Sequence, residues 1–175
     1  LDLGIEKDEY NLVTCHRPSN TDNKDNLSSI INSLKQIKKI DEKQLVFPMH
    51  PRTEKMIKQF FGTKYLEDLK SQWSILPPVS FLDMILLESS SNAIITDSGG
   101  VQKEAYFFLK KSIILRDETE WVEIIDNNGG ILTGANSDKI ISAYQNLSNL
   151  NCTFEKVFGN GKAAEFICNK ILRAI

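Results

Sequence analysis

Four segments of this sequence carry side chains that could do chemistry, and each directly follows a run of β-forming residues. The first is His16-Arg17, after Tyr10–Cys15. Arg offers a rigid fork of donors and His can gain charge near pH 7, a pair suited to an anion. The bland alternative is two loop residues satisfied by local backbone. The second is Pro48-Met49-His50-Pro51-Arg52, where His50 either meets a ligand or fixes a tight strand-to-helix turn. The third and strongest is Thr96-Asp97-Ser98-Gly99-Gly100, running into Val101-Gln102-Lys103-Glu104-Ala105. Ser98 can cap a helix, and Gly99 and Gly100 let a ligand approach the backbone. Unpaired amides at the positive end of the helix dipole then favour phosphate. The pattern is neither G-x-G-x-x-G nor a P-loop, and a simple capped turn also accounts for it. Glu104 stands where a carboxylate could accept from ribose hydroxyls, or where it is merely solvated. The fourth is Arg116, a second cation for a diphosphate, followed by the acidic string Asp117-Glu118-Thr119-Glu120. That string reads as the first turn of a helix. Trp121 behind it is core or a sugar-stacking surface.

The elements that must hold these residues alternate along the chain. Strands are expected at Tyr10–Cys15, Leu45–Pro48, Ser74–Leu76, Ala93–Thr96, Ile113–Leu115 and Ile131-Leu132. Between them, Leu27, Ile30, Ile31, Leu34 and Ile37 stripe one helix at i, i+3, i+4, i+7. Met56, Ile57 and Phe60 mark a second helix after Pro51. Further helices are expected at Phe81–Glu88, at Val101–Leu109, around Ile140, Ile141, Tyr144 and Leu147, and from Gly161 onward. The pattern predicts an α/β fold: a Rossmann-like, open, mostly parallel sheet with helices on both faces. Ligands in such sheets bind beyond the carboxyl ends of the strands, where the strand order reverses. All four segments fall on that rim, including the only two histidines.

Bulk properties narrow the partners. A net charge of −2 gives no electrostatic reason to expect nucleic acid or an anionic membrane. Apolar runs such as Ala93-Ile94-Ile95 are far too short to span a bilayer. The three cysteines, Cys15, Cys152 and Cys168, are too scattered for a disulfide framework or a zinc cluster. They read as reduced thiols in cytoplasm, with Cys15 as core filler. No metal and no cofactor is expected. The start, Leu1-Asp2-Leu3-Gly4, has no signal-peptide pattern and no Met, so residues 1–175 are expected to be one domain of a longer protein.

Taken in order, Leu12-Val13-Thr14-Cys15-His16-Arg17, Phe47-Pro48-Met49-His50-Pro51, Thr96 to Ala105, and Leu115 to Glu120 resemble the C-terminal domain of the non-hydrolysing UDP-N-acetylglucosamine 2-epimerases. The resemblance covers nearly the whole chain, through Phe158-Gly159-Asn160-Gly161-Lys162-Ala163-Ala164. It implies two Rossmann-like domains of the glycosyltransferase-B type, with a UDP-sugar between them, this chain gripping UDP, and the N-terminal domain lying outside it. Ser98, Gly99 and Gly100 would then hold the diphosphate and Glu104 the ribose. His16 matches an active-site position, Arg116 one near the substrate, and the loops at His50 and Pro78–Phe81 would border the uracil. Arg17 and His50 also match positions that touch a regulatory UDP-sugar in some relatives. The implied reaction removes the C2 proton, expels UDP to give a glycal, and adds UDP back with the proton on the opposite face. Its proton-transferring carboxylates belong mainly to the N-terminal domain, and homodimerisation is the family expectation.

One departure stands out. Where many of these enzymes have Glu-Arg-Pro-Glu, this chain has Glu120-Trp121-Val122-Glu123. With Val101 to Phe107, this looks more like the branch acting on UDP-2,3-diacetamido-2,3-dideoxyglucuronate. Either substrate would feed surface-polysaccharide synthesis in a bacterial cytoplasm. Two rivals remain: another glycosyltransferase-B-like enzyme, needing an acceptor, and a non-catalytic UDP-sugar sensor.

Overall fold

The computed structural model describes Gly4 and residues 6–173; most of the opening segment Leu1–Gly4 lies outside the described residues. Six strands pair in the order β3-β2-β1-β4-β5-β6. They are β1 (Tyr10–Thr14), β2 (Gln44–Pro48), β3 (Ser74–Leu76), β4 (Ala93–Thr96), β5 (Ser112–Ile114) and β6 (Gly130–Leu132). Every pairing between them is parallel. The strand order reverses between β1 and β4, whose registers pair Asn11 with Ala93 and Thr14 with Thr96.

Alternate residues of each strand feed opposite faces, as the pleat requires. Val13, Leu45, Phe47, Ala93 and Ile95 enter one core. That core is roofed by α2 (Lys24–Asp41), α3 (Pro51–Phe61), α4 (Thr63–Lys70) and α8 (Ser137–Asn146). Tyr10, Leu12, Val46 and Ile94 enter the other, under α5 (Phe81–Ser90) and α6 (Gly99–Phe107). The short α1 (Pro18–Thr21) and α7 (Val122–Asp126) lie in the loops after β1 and β5, and α9 (Ala163–Leu172) ends the described chain. Cys15 is 2 % exposed in the first core, and burial pushes its thiol well above the usual range, as core filler requires.

The element boundaries depart from the sequence reading for local reasons. The helix after Pro51 is two, because Gly62, at φ +90, breaks α3 from α4. α6 starts at Gly99 rather than Val101, since Ser98 is already its cap, and stops short of Leu109, which turns left-handed at φ 59. The acidic string does not open a helix: Asp117–Glu120 stay in an irregular loop and α7 begins at Val122. Helix α9 starts beyond Gly161 and buries no residue; its Phe166, Ile167, Ile171 and Leu172 are all more than half exposed. Among the described residues, no helix is long and apolar enough to cross a membrane.

Candidate functional site

The reversal of strand order leaves a crevice above the ends of β1 and β4, and Asp97 is the post at its centre. Its side chain is fully buried, yet it follows β4 directly and reaches across to the loop after β1. One carboxylate there accepts from the His16 amide at 3.0 Å, the Arg17 amide at 2.9 Å and Asn20 Nδ2 at 3.1 Å. His16 Nδ1 lies 3.3 Å from the same group. A carboxylate only accepts, so Nδ1 must carry the proton, which leaves His16 Nε2 for the crevice. Asp97 stands inside the Thr96-to-Ala105 motif, where its neighbours in sequence do not mark its role. The available signal was a carboxylate at the end of an apolar strand, which must find buried donors.

His50 is set the other way round. It caps α3, its Nδ1 accepting from the Arg52 amide at 3.1 Å, with Pro51 at the first helical position. Nδ1 is therefore the bare nitrogen and Nε2 carries hydrogen. The turn-fixing role is real, but it does not remove His50 from the site. The two imidazoles lie 5.8 Å apart, and both line a cleft of about 310 Å³. Pro78, Val79, Met84 and Val101 give that cleft apolar walls, with Ser98 and Phe81 at its edge. Phe81 is 67 % exposed, a ring on the rim rather than in the core.

At the start of α6, Ser98 caps the helix weakly, its Oγ accepting from Val101 N at 3.5 Å. Among the described residues, no protein acceptor meets the amides of Gly99 and Gly100. These amides point out of the helix end with its partial positive charge. A carboxylate stands beside Gly99: a Cβ there would lie 3.1 Å from Glu120 Oε2. Glu120 bonds Arg116 at 2.7 Å and stands 3.6 Å from Arg17. The Arg116 hydrogen bond, with lesser help from Arg17, holds the Glu120 carboxyl below its usual range. Two guanidiniums, two free amides and one carboxylate therefore share one place.

The loop bearing Glu120 is tied down by Trp121. Its Nε1 donates to Gly99 O at 2.7 Å, and its ring meets Phe158 edge-on at 5.6 Å. Lys103 Nζ lies 4.3 Å from its ring centre. Trp121 is thus an internal strut, in a place where a sugar-stacking surface was one of two expectations. Glu104 lies five residues past Gly99, about 7.5 Å along the helix, and does not line the cleft. It stands at the α5–α6 seam beside the fully buried Glu88. The structure therefore groups His16, His50, Ser98 and Phe81 in one cleft. Beside it stand Arg17, Arg116, Glu120 and Gly99, with Glu104 a step further along α6.

A wholly parallel sheet, a crevice at its reversal point and a glycine-led helix start facing that crevice define the Rossmann-like class of α/β proteins. Within that class the chain belongs to the UDP-N-acetylglucosamine 2-epimerase family, whose model matches residues 2–172. It is 40 % identical over 162 residues to a UDP-N-acetylglucosamine 2-epimerase of Methanocaldococcus jannaschii, covering 91 % of this chain and 43 % of that protein. It is 37 % identical over 168 residues to the UDP-2,3-diacetamido-2,3-dideoxy-D-glucuronate 2-epimerase of Pseudomonas aeruginosa, covering 95 % and 45 %. A crystal structure of the Methanocaldococcus jannaschii enzyme in complex with UDP-GlcNAc and UDP superposes with a TM-score of 0.84 at 36 % identity, covering 97 % of this chain and 46 % of that one. The chain spans under half the length of these relatives.

Proposed function

We propose that this chain is the UDP-gripping half of a non-hydrolysing UDP-sugar 2-epimerase of the two-domain glycosyltransferase-B type. The observation that carries the reading is the pair of free amides at Gly99 and Gly100, flanked by Arg17 and Arg116 on one side and the His16–His50 cleft on the other. A diphosphate fits the amides and guanidiniums, and the apolar-walled cleft beside them suits a flat pyrimidine. Glu104 accepts from the ribose hydroxyls. Glu120 holds the two arginines in register until the diphosphate replaces it.

In the elimination of UDP from C1, negative charge grows on the departing diphosphate. Preformed amides and guanidiniums stabilise that charge without reorganising, and this lowers the barrier in both directions. His16, with its proton fixed on Nδ1 by Asp97, turns Nε2 toward the same region and hydrogen-bonds the diphosphate once protonated. The carboxylates that move the C2 proton belong to the other half of such an enzyme, so this chain alone binds nucleotide without turnover. The substrates named for the two relatives share UDP and a 2-acetamido sugar, and the residues described here address that shared part. Homodimerisation of the whole enzyme, and its work in cytoplasm on polysaccharide precursors, belong to the same proposal.

The test is an NMR titration of the chain with UDP, with ADP and free phosphate as controls, in wild type and Glu104→Ala. Millimolar affinity suffices for this method. UDP should perturb the Ser98–Glu104 amides more strongly than ADP, and Glu104→Ala should weaken it. Equal responses to UDP and ADP would sink the uridine assignment.

A further inference from the structure

Helix α5 is apolar on its inner face except at one position. Glu88 is 0 % exposed, and among the described residues no donor reaches either of its carboxyl oxygens. An ionised carboxylate in that setting would carry the full penalty of an uncompensated buried charge. Across the α5–α6 seam its neighbour is another acid, Glu104, which acts on it by charge and by hydrogen bonding. Two carboxyl groups can share a hydrogen bond only if one of them keeps its proton. Glu88 is the fully buried member and Glu104 is half-buried, so the proton belongs on Glu88.

We propose that Glu88 is a positioning residue: a buried carboxylic acid that donates its proton in a hydrogen bond to Glu104, fixing the orientation of the carboxylate that receives the ribose. The inference rests on the ribose role of Glu104 proposed above. Its geometry is that of α5 packed on α6 through Leu87, Met84, Val101 and Ala105, which leaves Glu88 no solvent to turn to. Burial, and then the charge and hydrogen bonding of Glu104, raise the Glu88 carboxyl to about 8. Asp83, on α5 itself, accepts from Ser80 Oγ at 2.6 Å. Tyr10 donates its hydroxyl to Leu87 O, and Asp8, at the helix end, is paired with Lys110.

The consequence is a pH-dependent grip. Below about 8 the acid–carboxylate pair is intact; above it both groups are charged and repel, and the Glu104 carboxylate swings off its line. Stability carries the same sign. The native chain holds a proton that the unfolded chain releases near 4.5, so Glu88 makes stability fall as pH rises from there toward about 8. Glu88→Gln keeps a donor in place at every pH and abolishes both effects.

The experiment compares UDP with 2′-deoxy-UDP by NMR titration between pH 6 and 9, in wild type, Glu88→Gln, Glu88→Leu and Glu104→Ala. Wild type should prefer UDP about tenfold at pH 6, the worth of one hydrogen bond to a charged group, and lose that preference above about pH 8. Glu88→Gln should keep the preference throughout, and Glu88→Leu should lack it throughout. If Glu104→Ala loses the preference while both Glu88 variants behave as wild type, the Glu88 inference is overturned and the ribose role stands. If Glu104→Ala keeps the preference, the ribose role itself fails. Should Glu88→Leu not fold, the flattened pH profile of Glu88→Gln still decides.

Discussion

Replacing Asp97 by Asn changes one oxygen to an amide nitrogen and disturbs four contacts at once. In the native chain, donors approach both oxygens: the His16 amide at 3.0 Å to each, the Arg17 amide at 2.9 Å, Asn20 Nδ2 at 3.1 Å and His16 Nδ1 at 3.3 Å. Whichever way the Asn amide is turned, its NH2 faces a donor, toward His16 Nδ1 in one orientation and toward Arg17 N and Asn20 in the other. A hydrogen bond to a charged group is worth about 1.5–3 kcal/mol, and these share one acceptor, so their sum is not additive. A loss of about 2–4 kcal/mol follows, a large share of the 5–15 kcal/mol typical of a domain. Urea unfolding at pH 7 reads the total, and amide hydrogen exchange at His16 and Arg17 locates it. The variant should also bind UDP at least about tenfold more weakly, because His16 loses its orientation. A change below about 0.5 kcal/mol with both amides still protected would refute the central place given to Asp97.

Two further substitutions probe the anion end of the crevice. Gly100→Ala meets nothing closer than Ser98 Oγ at 3.8 Å, so the melting temperature should hold or rise slightly, while UDP binding falls about tenfold or more. Unchanged binding in this variant would mean that no ligand approaches that backbone. Glu120→Gln releases Arg17 and Arg116 from an exposed carboxylate, so UDP should bind about two- to fivefold more tightly at low salt, the range of one exposed ion pair. Weaker binding would instead make Glu120 a ligand contact.

The strand runs were legible because a parallel sheet buries both faces, so each strand is a short, nearly continuous apolar segment such as Ala93-Ile94-Ile95. The rim residues were legible because parallel strands carry their loops to one end. Pairings made across the fold were not. Asp97 and Glu88 act through partners on other elements, and nothing adjacent in the chain announces them. Glu88 did leave a trace, a lone acid on the apolar face of Met84 and Leu87, where helical spacing alone marks it as buried. The split of α3 from α4 turned on a single left-side φ at Gly62, and the job of Trp121 on one carbonyl, at Gly99.

The position of Asp97 also bears on how the chain folds. Its bonds to His16, Arg17 and Asn20 join residues 77 to 81 positions apart, across the one junction where the two halves of the sheet meet. Contacts this distant in sequence form late, after long loops have closed. A chain halted after α5 could build β1, β2 and β3 with their helices yet would have no crevice. The proposed nucleotide site is thus completed in one step, when β4 docks beside β1, and its affinity would make a clock for the end of folding.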